Sequence, residues 1–142
     1  MYKDILLPVD LNHDSSWQRA LPVALEYAKA FNSRLHIMTV IPDFGMAMVG
    51  SYFPEDFEAK HREEANTRLH QFVKDHVPAE VQVQHIVGEG TPYKEILRMA
   101  EDIEADLIVM AAHRPELRDY FLGPNAERVV RHFDRSVLVV RD

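Results

Sequence analysis

The chain has 142 residues, 46% apolar and 27% charged, which fits one ordinary globular domain with room for a hydrophobic core. It contains no cysteine, so disulfides, thiolate catalysis and cysteine-ligated zinc are excluded. With 16 basic against 23 acidic side chains, the formal net charge of −7 repels a phosphate backbone and disfavours nucleic-acid binding.

No apolar run approaches the ~20 residues needed to cross a bilayer. Residues 1–10 lead straight into a strand carrying Lys3 and Asp4 rather than into a signal peptide, so a cytoplasmic protein without a membrane partner is expected. DILLPVD (4–10) is nearly continuous in apolar residues, the mark of a strand covered on both faces, with Pro8 near its end where pairing stops. Ser15 and Gln18 are spaced as a capping box for a first helix whose stripe is Trp17, Leu21, Leu25, Ala28 and Phe31. Pro22 inside that stripe either kinks the helix or marks its effective first turn. A second strand spans Arg34–Ile41.

Residues 42–53 form an unusually apolar connection, readable as a flap on the sheet, a lid over a ligand or an oligomer contact. Pro54 suits the first position of a long second helix with the stripe Phe57, His61, Ala65, Leu69, Phe72 and Val73, ended by Pro78. VQVQHIV (81–87) alternates, as an edge strand does. Gly88-Glu89-Gly90 reads as a turn, and Thr91-Pro92 as an N-cap and N1 pair opening a third helix. Leu107–Ala112 and Ser136–Val140 are the last two strands, with a helix over Asn125–Phe133 between them.

Five strands alternating with four helices predict a single α/β domain over 1–142: a doubly wound, five-stranded parallel sheet with helices on both faces. Right-handed crossovers and the edge character of the third strand select the order 3-2-1-4-5. In that order the carboxyl ends of strands 1 and 4 flank the topological switch point, the default ligand crevice. Asp10 at the end of strand 1 can accept hydrogen bonds from a ribose or help hold a cation; alternatively it only solvates the following loop.

The turn Gly123-Pro124-Asn125-Ala126 has two readings as well. Gly123 and Pro124 suit a tight turn into a helix, while the free amides of Asn125 and Ala126, with the Asn125 side chain as a further donor, suit a phosphate. Arg114 matches a phosphate chain, and His113 either donates to it or anchors the loop. Arg114, Arg118, Arg128, Arg131, Arg135 and Arg141 gather in the C-terminal quarter, which favours a small anionic ligand. Asp10, His13 and Asp14 could hold magnesium loosely beside a nucleotide, but no histidine spacing suggests a zinc site. A strand–helix nucleophile elbow, a P-loop and a GxGxxG fingerprint are all missing, so no catalytic residue is assigned.

At YKDILLPVD, LHIMTVIP, GEGTPYKEIL, ADLIVMAAHRP and LGPNAERVVRHFDRSVLVVR the sequence resembles the universal stress protein family along its whole length, and its small F/G-type subgroup in the HRP and Asn125 variants. The resemblance implies a homodimer that binds ATP or a related adenine nucleotide. Asp10 would lie against the adenosine, and the backbone around Pro8, Val9 and Val40 would meet the adenine. The glycine-rich loop of nucleotide-binding members is altered here: Ala111 stands near its first glycine, Arg114 takes the second, Gly123 keeps the third, and Pro124 replaces the following hydroxyl residue.

The apolar strand at residues 136–141 should be the other sheet edge, best covered by the same strand of a second subunit. Three functions fit: a regulatory, non-enzymatic nucleotide-binding protein in stress response, a slow magnesium-dependent ATP hydrolase or phosphotransfer enzyme, or an interaction module with a vestigial pocket. In the first, the bound state is read by a protein partner.

Overall fold

A computed structural model of the chain describes residues 1–41, 57–112 and 123–141, apart from the side chains of residues 57 and 58. The five strands are β1 (Asp4–Pro8), β2 (Arg34–Ile41), β3 (Val83–Glu89), β4 (Leu107–Ala111) and β5 (Ser136–Val140). The four helices are α1 (Ala20–Phe31), α2 (Phe57–His76), α3 (Pro92–Asp102) and α4 (Gly123–His132). They alternate with the strands along the chain, and all strand pairings are parallel in the spatial order β3-β2-β1-β4-β5.

Side chains along a strand alternate between faces, and here both faces are covered. Ile5, Leu7, Leu35, Ile37 and Val109 pack with Ala20, Leu21 and Ala24 of α1 and with Leu69 and Phe72 of α2. On the opposite face Leu6, Met38, Ile108 and Met110 pack with Ile96 and Ala100 of α3 and with Ala126 and Val129 of α4. This double cover explains why all five residues of β4 are buried, and why its sequence is an unbroken apolar run. Burying each large aliphatic side chain contributes roughly 1.5–3 kcal/mol. Among the described residues no helix is long and apolar enough to cross a membrane.

Four elements correct the expected architecture. The capping-box start of the first helix is replaced by a 3-10 turn over Asp14–Ser16, and α1 begins only at Ala20. Pro22 therefore lies in the first turn, where its missing N–H has no intrahelical partner to lose. Trp17 stands outside the helix, its ring 5.0 Å edge-on from Phe72.

The third strand runs two residues further than expected at its end, taking in Gly88 and Glu89; the turn is at Gly90, with φ of 130°. Gly88 faces the Met38 side chain so closely that a Cβ would come within 2.7 Å of its Cε. Thr91 has extended N-cap geometry before Pro92, but its side chain makes no capping bond. Finally α4 starts at Gly123 rather than Asn125, so Pro124 is its second residue. The second helix ends at His76, while Pro54 and the apolar connection lie outside the described residues.

Candidate functional site

The loop leaving β1 is built around one buried hydroxyl. Ser16, fully buried, accepts the Asp10 N–H at 2.8 Å, and its own proton serves the Asp10 and His13 carbonyls at 3.0 and 2.8 Å. The Asp10 carbonyl also accepts the His13 N–H at 3.0 Å, closing a turn. Both backbone groups of Asp10 are thus occupied internally, and only its carboxylate is left to meet a ligand.

That carboxylate is oriented. The Asn12 N–H donates to Oδ1 at 2.9 Å, and His13 Nδ1 sits 2.9 Å from Oδ2. An ionised carboxylate offers about four acceptor positions, so two remain for hydroxyl donors. The side chain keeps 20% of its surface exposed, at the carboxyl end of β1. From α2, Arg68 Nη2 donates to the Leu11 carbonyl at 3.2 Å and to Asn12 Oδ1 at 3.1 Å. Ser16, Asn12 and Arg68 are the parts of this site that sequence reading missed.

Pro8 and Val9 are buried beside Asp10. The Val9 amide already donates to the Met38 carbonyl at 2.7 Å, so it is not available to an adenine ring. Val40 lies on the neighbouring strand, in register with Gly88 of β3. On the other side of β1, Ala111 ends β4 with 1% of its surface exposed. The Ala112 amide just beyond it donates to the Val140 carbonyl at 2.8 Å.

Gly123, Pro124, Asn125 and Ala126 form the first turn of α4, whose amides have no intrahelical carbonyl to meet. No described atom lies within 4 Å of where a Gly123 Cβ would stand. The acceptor side of the Asn125 side chain has a structural task. The residue is 6% exposed, and its Oδ1 accepts the Tyr93 N–H at 3.1 Å, capping the first turn of α3 in place of Thr91. Helices α3 and α4 are therefore joined at their amino ends, and Arg128 stacks on Tyr93 at 4.7 Å.

Among the described C-terminal arginines, Arg131 and Arg135 have local partners besides the stacked Arg128. Arg131 pairs with Glu127 at 3.2 Å, while Arg135 meets Asp134 at 3.4 Å and the Phe133 ring. His113, Arg114 and Arg118 lie outside the described residues. Among the described residues no three acidic or histidine side chains converge as a metal site requires, so Asp10, His13 and Asp14 do not form one by themselves.

What the arrangement offers chemically is an oriented acceptor on one side of the switch point and, on the other, helix-start amides without intrahelical partners. A molecule with neighbouring hydroxyls and an anionic end matches that pair of features.

Comparisons with known proteins agree on the family. Residues 1–141 match the profile of the Universal stress protein family. Universal stress protein G of Escherichia coli O157:H7 is 31% identical over 145 residues, covering 99% of this chain and all of that one. The solved structure of protein MJ0577, a universal stress protein of Methanocaldococcus jannaschii, superimposes with a TM-score of 0.74 at 29% identity, covering 100% of this chain and 97% of that one. A universal stress protein solved in complex with cAMP shares the fold at a TM-score of 0.63 and 24% identity, over 99% and 97% of the two chains.

Proposed function

We propose, from the premise that the chain belongs to the universal stress protein family, that it is a non-enzymatic adenine-nucleotide-binding protein of the stress response. The Asp10 carboxylate carries this reading: it stands at the switch point with its backbone locked, its direction fixed and two acceptor positions to offer a ribose. The adenine lies over Pro8, Val9 and Val40. The phosphates point towards Ala111, His113, Arg114 and the first turn of α4 at Gly123, Pro124, Asn125 and Ala126. Asn125 Oδ1, an acceptor already engaged with Tyr93, does not meet the phosphates; that turn contributes through N–H donors. Magnesium, where it takes part, arrives with the phosphates. Two related observations point the same way: a family member at 24% identity holds cAMP, and the full-length match to universal stress protein G supports the F/G-type subgroup.

The bound state is read by a protein partner, and the protein works as a homodimer. Among the described residues β5 pairs only with β4, and each of its five residues is partly exposed, so residues 136–141 present an apolar edge that a second copy can cover. Introducing Val139→Lys should turn the dimer into a monomer by light scattering; an unchanged mass removes this edge from the interface. For the nucleotide, calorimetry with ATP, ADP, AMP and cAMP tests the reading. Binding at micromolar to submillimolar concentration that Asp10→Asn weakens supports it. A folded protein that takes up none of the four at millimolar concentration rejects it.

A further inference from the structure

Arg68 stands on an exposed stretch of α2, where the ordinary partner for an arginine is a glutamate one turn earlier on the same helix. Glu64 occupies that position, yet among the described residues no ion pair joins the two. The guanidinium instead crosses to the loop after β1 and takes two neutral oxygens, the Leu11 carbonyl and Asn12 Oδ1. Asn12 is also the residue whose amide orients the Asp10 carboxylate, at 2.9 Å. The side chain and the backbone of one residue thus link a helix 56 residues away to the candidate ribose acceptor.

We infer that Arg68 is a positioning residue for the nucleotide site: it braces the Asp10 loop from outside, as Ser16 does from within, and ties occupancy of the crevice to α2. The inference rests on the nucleotide reading above for its functional half. The chemistry favours arginine over lysine, because both bonds leave one nitrogen, Nη2, whose two N–H groups are held in the guanidinium plane rather than on a rotating ammonium. Ligand hydroxyls that pull on Asp10 load Asn12, and through it Arg68. A surface helix then senses whether the crevice is filled.

The test separates the brace from the nucleotide. In the unliganded protein, hydrogen exchange at the Asn12 amide should accelerate at least threefold in Arg68→Ala and be partly restored in Arg68→Lys; an unchanged rate overturns the proposal whatever happens to binding. In calorimetry Arg68→Ala should weaken ATP and adenosine alike, by three- to tenfold, because the effect passes through the ribose contact. Combined with Asp10→Asn it should add nothing further. A full additional loss in the double variant, or a loss confined to ATP, contradicts a positioning role. Should the wild-type protein bind no adenine nucleotide while Asn12 exchange still responds to Arg68, the nucleotide reading falls, and with it the coupling to α2.

Discussion

The two ends of the sheet each carry an aspartate facing backbone amides, and they use it differently. At the amino-terminal end, Asp106 holds the Lys3 and Asp4 amides with its two oxygens, at 2.9 and 3.2 Å, stitching β4 to the start of β1. Around it His36, 2% exposed, bridges Asp4 and Gln84 across three strands. The Ser33 hydroxyl bonds the Tyr2 carbonyl, and the Tyr2 hydroxyl donates to Ser136 at 3.0 Å. These contacts join segments 31 to 134 residues apart. At the carboxyl-terminal end, Asp10 is held by its own loop within six residues, and its carboxylate keeps acceptor positions in reserve. One end is closed on itself for stability, while the other is braced by its own loop and by Arg68 and keeps acceptor positions for a ligand.

Substitutions at the two ends can break that contrast. Asp106→Ala should cost the most stability, about 1–3 kcal/mol, since two backbone donors lose their acceptor. Urea unfolding measures this, and the folded fraction should bind nucleotide with unchanged affinity. Ser16→Ala should cost about 1–2 kcal/mol and also weaken nucleotide binding several-fold, because the same hydroxyl holds the fold and aims Asp10. If Ser16→Ala lowers stability alone, the loop geometry is not what matters for binding. Asp10→Asn should leave stability within about 0.5 kcal/mol and weaken binding about tenfold, or roughly 1.4 kcal/mol.

The smallest effect is a pH dependence. His85 on β3 stacks on His70 of α2, with ring centroids 3.7 Å apart and planes 7° from parallel. Burial, and after it the neighbouring His70 charge, lowers the His85 pKa from its usual 6.5. A histidine with a lowered folded pKa is bound more tightly to protons in the unfolded chain. Stability from this contact is therefore complete above about pH 6.5 and declines as pH falls below it. The loss should be a few tenths of a kcal/mol at this partly exposed site. It should vanish in His85→Gln when unfolding is compared at pH 7.5 and 5.5; a slope that survives the substitution assigns it elsewhere.

Elements and site parts differed in how visible they were in the sequence, and the reason is range. The strands 4–8, 107–111 and 136–140 are legible because double cover makes an apolar run with no competing signal. The start of the first helix was misread because a serine that caps a helix and one that bonds the preceding loop have the same local signature. Ser15 and Gln18 fitted a capping box, while Ser16 was reaching back to Asp10. Asp10 could be singled out from its place at a strand end, but its supports could not. Arg68 acts across 56 residues, and Asn125 reaches Tyr93 across 32. Neither contact leaves a periodic trace. The surroundings of the basic residues are hidden for a related reason: proximity in sequence says nothing of the acids and rings beside Arg128, Arg131 and Arg135.

The most direct test pairs the two aspartates in one calorimetric experiment, titrating ATP into the wild-type protein, Asp10→Asn and Asp106→Asn, with thermal unfolding of each. The account predicts that Asp10→Asn loses about tenfold in affinity at an unchanged Tm, and that Asp106→Asn keeps wild-type affinity at a lowered Tm. Equal affinity losses in both variants, or full ATP binding by Asp10→Asn, would contradict it.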